Sequence, residues 1–263
     1  YGISSLSLLE ALPILAGRAL GKLELGEGKT GEALKISQKL IKVLPESVVG
    51  YALEGDVLVS MGKMKDALRA YRSGLVYAND GEIVIKISKV ERGVGNSVAS
   101  YDVLNKWLEQ HAEDQAVRFM LATSYLADGK KDIAVSQYEQ LLKEQPDNPS
   151  VLNDLAWLYY ERGEPGALEM AEKAYHLAPD SAAIQDTYGW ILVQSGRIES
   201  GIIALEQAAS NAPDSLDIRY HLAAALAKTG EKVRAREELG LILQSDKVFS
   251  ERASAEALHK ELK

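Results

Sequence analysis

Residues 26 to 31, GEGKTG, contain the Gly-Lys-Thr trio that ends a phosphate-binding loop. Such a loop needs a glycine five residues before Gly28, so that successive backbone N–H groups can wrap the phosphates while the lysine neutralises them. That position is Leu23, and no strand is predicted ahead of it. The other candidate chemistry is equally thin. His111, His176, His221 and His259 are widely separated with no HExxH spacing, so no metal site is expected. With no cysteine there is neither a thiolate nucleophile nor a disulfide framework. Serine, histidine and acidic residues occur without any nucleophile motif. The expectation is a chain with no catalytic constellation, no metal and no cofactor.

What must position any binding residues is then the question, and the glycines answer it. Gly28, Gly62, Gly95, Gly129, Gly163, Gly196 and Gly230 recur at intervals of 34, 33, 34, 34, 33 and 34 residues. Gly-Lys itself recurs at Gly62-Lys63 and Gly129-Lys130, which makes GEGKTG one of a series of helix-ending turns carrying a cation near the helix C-terminus. Seven residues before each turn glycine stand Gly21, Gly55, Ser88, Ala122, Ala156, Gly189 and Ala223. Five residues after it stand Ala33, Ala67, Ser100, Ala134, Gly201 and Ala235, with Ala167 one place early in the fifth unit. Small residues at both stations let two antiparallel helices approach to the short end of the about 8–10 Å packing range. Larger residues flank them, including Leu20, Leu121, Leu155 and Leu222 on first helices and Tyr71, Leu104, Tyr138, Leu205 and Leu239 on second helices. Pro45, Pro146, Pro179 and Pro213 close four of the units.

The composition agrees. Of 263 residues, 46% are hydrophobic but only 6% aromatic, and there are just seven prolines, a mixture rich in helix formers. A formal charge of −8 with scattered lysines and arginines argues against nucleic acid or an acidic membrane surface as partner. No apolar run approaches a membrane span. A chain starting at Tyr1 reads as an excised fragment, soluble by itself.

This period, with its small stations and closing prolines, resembles the tetratricopeptide repeat. The resemblance implies an all-α, right-handed α-α superhelix (solenoid) of about seven helix-turn-helix repeats, at 14–47, 48–80, 81–114, 115–148, 149–181, 182–215 and 216–249. Residues 1–13 are expected to be a remnant of a preceding repeat, its helix ended by Pro13, and 250–263 a C-terminal capping helix. The pattern is broken by Glu24, Glu54 and Glu91, where later repeats place Tyr or Leu, and the third repeat lacks its proline. More narrowly, the run from LNDLAWLYYERGEPGALEMAEKAYHLAPD to KVRAREEL looks like the C-terminal repeats of TPR lipoproteins of bacterial PEP-CTERM and exosortase systems. That likeness implies a parent protein in the periplasm or attached to the outer membrane, near exopolysaccharide assembly or protein sorting.

In such an array the first helices line a concave face, and residues 13, 10, 6 and 3 before each turn glycine share it. The fourth to seventh units place Phe119, Thr123, Leu126, Asn153, Trp157, Tyr160, Asp186, Trp190, Val193, Tyr220 and Ala224 there. The first three offer Arg18, Lys22, Asp56, Lys89 and Arg92 at equivalent places, a more charged set without rings. Phe119, Thr123, Asn153, Trp157, Tyr160, Asp186, Trp190 and Tyr220 are therefore the expected ligand-binding residues of a non-enzymatic scaffold. The ligand is an extended protein or peptide partner, since rings contribute large contact area at low entropy cost. Two other readings stay open: a polysaccharide stacking on the same rings, and end-to-end self-assembly. A further possibility is that Trp157 and Trp190 simply wedge between neighbouring helices.

Overall fold

The computed structural model describes residues 8–78 and 81–263, with side chains from residue 14 onward. The described residues are all-α, with fifteen helices and no strand. They fall into two compact units, residues 1–137 and 138–263. The N-terminal unit holds α1 (Leu8–Gly26), α2 (Thr30–Val43), α3 (Val48–Ser60), α4 (Met64–Leu75), α5 (Glu82–Gly93), α6 (Ser97–Leu108) and α7 (Gln115–Ala127). The helix α8 (Lys131–Glu144) begins there. The C-terminal unit continues with α9 (Pro149–Arg162), α10 (Ala167–Leu177), α11 (Ala182–Gln194), α12 (Ile198–Asn211), α13 (Leu216–Lys228), α14 (Lys232–Leu243) and α15 (Arg252–Glu261).

All seven periodic glycines have positive φ, between 65° and 87°. Each closes its helix in the same way. The N–H one residue after the glycine donates to the carbonyl four residues before it, as in Lys29 to Glu24, Lys130 to Tyr125 and Glu231 to Leu226 at 2.8–3.0 Å. This is the Schellman closure, which satisfies carbonyls a helix end would otherwise orphan and needs a residue without Cβ at the left-handed position. Helix starts are fixed by side chains where the sequence supplies them: Asp114 caps α7, and Asn148 caps α9 ahead of Pro149.

The small stations meet face to face inside a hairpin. Ser88 and Ser100 hydroxyls lie 2.7 Å apart between α5 and α6. At the α11–α12 crossing a Cβ on Gly201 would stand 2.6 Å from the carbonyl oxygen of Gly189, and one on Gly189 would stand 3.0 Å from that of Gly201. Gly55 lies flat under Tyr71, whose ring a Cβ would meet at 2.1 Å. Leu155, Leu205, Leu222 and Leu239 are buried around these crossings, as expected. At the C-terminus Ala255 and Leu262 join the cluster of Leu239 and Ile242, so α15 covers the last hairpin.

Two expectations change. Helix α1 passes through Pro13 rather than stopping there: its missing N–H leaves the carbonyl four residues earlier unbonded, while its fixed φ is already helical. Residues 1–7, the rest of the expected remnant, lie outside the described residues. Leu20 is 48% exposed, whereas Leu121 at its station is buried against α6; among the described residues no hairpin precedes α1 to cover it. The out-of-pattern acids meet different surroundings. Glu91, almost wholly buried, accepts from Arg72 at 2.5 Å and from Asn96 Nδ2 at 3.0 Å. Glu24 stands 3.4 Å from the Lys29 ammonium, and burial raises the Glu54 carboxyl above its ordinary range.

Candidate functional site

The phosphate-loop reading can be closed first. The turn amides of Gly28, Lys29 and Thr30 donate to the carbonyls of Leu25, Glu24 and Gly28. The Lys29 ammonium is held 2.6 Å from Glu27, whose hydrogen bond raises its pKa. Donors and cation are both spent inside the helix end. Among the described residues no cluster of histidine and acidic side chains could hold a metal ion.

One aromatic station of the C-terminal unit, Trp157, shares a cleft with polar side chains from two further first helices. Helix α11 packs against both α9 and α13, so one side chain from each can reach a common space. A cleft of about 350 Å³ opens there, lined by Asn153 and Trp157 from α9, Asp186 and Thr187 from α11, and Asp217, Ile218 and His221 from α13. Ser250 and Glu251, in the turn before α15, close one end. A volume of roughly ten water molecules, at ~30 Å³ each, suits a side chain and its flanking backbone.

His221 organises the floor. The imidazole is buried, and its Nδ1 lies 2.8 Å from Oδ1 of Asp186. A carboxylate only accepts, so Nδ1 carries the proton. One ring face lies on Trp190, with centroids 4.4 Å apart and planes 20° from parallel, and Trp157 stands 6.1 Å away at a tilt. Beside it, Asp154 accepts from Tyr138 at 2.9 Å and from Asn153 Nδ2 at 3.4 Å, yet burial outweighs both and raises its carboxyl above the usual range. Burial pushes the Tyr138 hydroxyl strongly up, and Tyr220 more moderately. The other amide atom of Asn153, Oδ1, is buried without a hydrogen-bond partner.

Of the residues expected at the site, Asn153, Trp157 and Asp186 line the cleft. Trp190 supports it through His221, and its ring also lies under the Lys228 ammonium at 6.0 Å, so much of its surface is already covered. Tyr160 packs beside Trp157 at 5.6 Å, and Tyr220 is partly buried against the core of α13 to α15. Val193 is not on this face at all: it is 2% exposed, wedged against Gly201 at the hairpin crossing. Phe119 and Thr123 belong to α7 in the N-terminal unit, where the Thr123 hydroxyl donates to the Met120 carbonyl at 3.0 Å. His221 and Asp217 were missed. They sit 9 and 13 residues before Gly230; the second is on the counted face and the first one place off it.

Two tetratricopeptide repeat family models match, one over residues 119–183 and the other over 192–258, together about half of the chain. The chain belongs to the tetratricopeptide repeat family. A curated relative, the TPR repeat-containing protein PA4667 of Pseudomonas aeruginosa, is 28% identical over 64% of this chain, which spans 29% of that relative's length. The Photosystem I assembly protein Ycf3 of Synechococcus sp. (strain CC9605) is 24% identical over 49% of this chain and 73% of its own. Among solved structures, Pseudomonas aeruginosa PilF superposes with a TM-score of 0.64 at 20% identity, covering 82% of this chain and 97% of that one. The APC/C hetero-tetramer Cut9-Hcn1 gives 0.70 at 15% identity over 90% of this chain and 46% of that one, a likeness of fold. Among the described residues no helix is long and apolar enough to cross a membrane.

Proposed function

We propose that this TPR chain is a non-enzymatic scaffold, an array of seven repeats with the boundaries given above, that holds an extended segment of a partner protein against α9, α11 and α13. The observation that carries the reading is the cleft itself, to which three successive first helices each contribute side chains and in which an aromatic ring, Trp157, stands beside one unpartnered acceptor, Asn153 Oδ1. A relative whose name describes assembly of a larger complex is in keeping with a scaffold. The likeness of residues 152–239 to PEP-CTERM-system lipoproteins supports a place in the bacterial envelope, in the periplasm or at the outer membrane, near exopolysaccharide assembly.

The test is selection of displayed random 15-residue peptides on the whole chain, followed by titration of the winners against Trp157→Ala and against Ile203→Ser. Ile203 is 58% exposed on α12, away from the cleft residues. Peptides that lose at least about tenfold in affinity on the first variant and nothing on the second support the cleft, a difference of about 1.4 kcal/mol. Equal binding to both variants removes it. Saturation of tryptophan emission by acidic or neutral polysaccharide fragments, with no peptide recovered, replaces the partner protein with a glycan.

A further inference from the structure

The cleft has an unbalanced chemistry. Its walls carry three carboxylates, Asp186, Asp217 and Glu251, and no lysine or arginine. Among the described residues none of the three has an arginine or lysine partner. Asp186 is met by the His221 imidazole, Asp217 accepts from the Ser250 hydroxyl at 2.8 Å, and Glu251 accepts from the Ser254 hydroxyl at 3.0 Å.

The N-terminal unit shows how the same position is balanced elsewhere. Lys86 and His221 occupy equivalent places, each nine residues before its turn glycine, and each reaches back to an aspartate on the preceding first helix. Lys86 Nζ lies 2.7 Å from Asp56, and the small cavity beside that pair, about 60 Å³, is lined by Arg18, Lys22 and Lys86 against Asp56 and Glu82. There the protein supplies its own permanent cations and leaves little room. In the C-terminal unit an imidazole stands where the lysine would, the space is larger, and the carboxylates wait.

A second feature points the same way. Asn153 Nδ2 faces the Asp154 carboxylate, which fixes the amide so that Oδ1 is the atom left buried and unpartnered. An orphaned buried acceptor is destabilising unless a donor arrives. A guanidinium brings five donors and no acceptor, with an alkyl stem that can lie along Trp157 and Ile218.

We infer that the segment held in this cleft is basic, and that it places an arginine side chain among Asp186, Asp217, Glu251 and Asn153. The inference rests on the peptide-binding reading above and names its ligand class. Three blocked heptapeptides of Ala and Ser with a central Arg, Gln or Glu separate the two. Each is titrated to ~10 mM, enough to reach millimolar affinities, into the ¹⁵N-labelled whole chain at low salt, while the Trp157 indole N–H is followed. The Arg peptide is expected to bind about tenfold or more tighter than the Gln peptide, and the Glu peptide weakest. In Asp217→Asn/Glu251→Gln the Arg advantage is expected to vanish, with unchanged circular dichroism confirming the fold; Glu32→Gln, an exposed change in α2, leaves it intact. Equal binding of all three peptides, or an Arg preference that survives the double substitution, overturns the basic ligand while the cleft stands. No shift with any peptide overturns both.

Discussion

His221 and Asp186 join two consecutive repeats, Nδ1 to Oδ1 at 2.8 Å, with the pair roofed by Trp190 on one side. Both side chains are largely shielded, at 10% and 15% exposure. A hydrogen bond to a charged group in such a place contributes about 1.5–3 kcal/mol. Replacing His221 with Leu removes the donor and leaves the Asp186 carboxylate without its partner. The expected outcome is a loss of about 2 kcal/mol in urea unfolding, together with a change in Trp190 emission. A variant as stable as the parent would mean the pair is an idle contact.

The hairpin crossings make a paired prediction about glycine. In Gly201→Ala the new methyl would sit 2.6 Å from the Gly189 carbonyl and 2.9 Å from the Val193 amide nitrogen, both backbone atoms that cannot swing aside. Overpacking of this kind costs about 1–3 kcal/mol. Gly240, inside α14, has nothing within 4 Å of such a methyl. Gly240→Ala is therefore expected to stabilise by up to about 1 kcal/mol through helix propensity alone. Thermal unfolding of the two variants should move in opposite directions, and a shift of the same sign in both would contradict the close approach of α11 and α12.

These two cases also mark what could be read from the chain. The hairpin scaffold was legible because it depends on residue size at fixed intervals. Gly189 and Gly201 announce a close crossing whatever surrounds them, and Gly163 announces a left-handed corner. The cleft was only half legible. Trp157 and Asn153 fall on the counted face, but the role of His221 depends on Asp186, 35 residues earlier, and nothing in a helix's own spacing reveals a partner one repeat away. The usable signal is polar pairs separated by about one period. Arg92 with Asp128 and Lys228 with Gln194 are others. Val193 shows the converse: its helical phase suggested the open face, and the small residue at Gly201 drew it into the crossing instead.

Burial without a cation makes Glu54 sensitive to pH. Its neighbours in the groove between α3 and α4 include Asp66 and Arg69, and those two already pair with each other. Desolvation raises the folded-state pKa of Glu54 above its ordinary value of 4.5. The ionised form is thus disfavoured by folding: the penalty is present at neutral pH and is relieved as pH falls through the raised value, gone below the unfolded one. Glu54→Gln is expected to raise Tm by about 2 °C at pH 7 and to leave it unchanged at pH 4. A gain of the same size at both values would assign it to packing rather than to charge.

The turn at Gly28 separates structural from nucleotide chemistry. Its φ is 77°, and no atom outside the turn lies within 4 Å of where a Cβ would stand, so the conformation alone decides the effect of a side chain. Forcing an L-residue into that region costs about 1–2 kcal/mol. Gly28→Ala should therefore lower stability by roughly that amount, whereas Lys29→Ala, which removes an exposed pair with Glu27, should change it far less. A phosphate loop predicts the reverse ranking in the presence of Mg-ATP, because the lysine would hold the phosphates and ligand would protect the parent chain. Thermal shifts of the three proteins with and without Mg-ATP decide between them. Protection of the parent by nucleotide, lost in Lys29→Ala, would restore the phosphate-binding reading that the spent amides of this turn exclude.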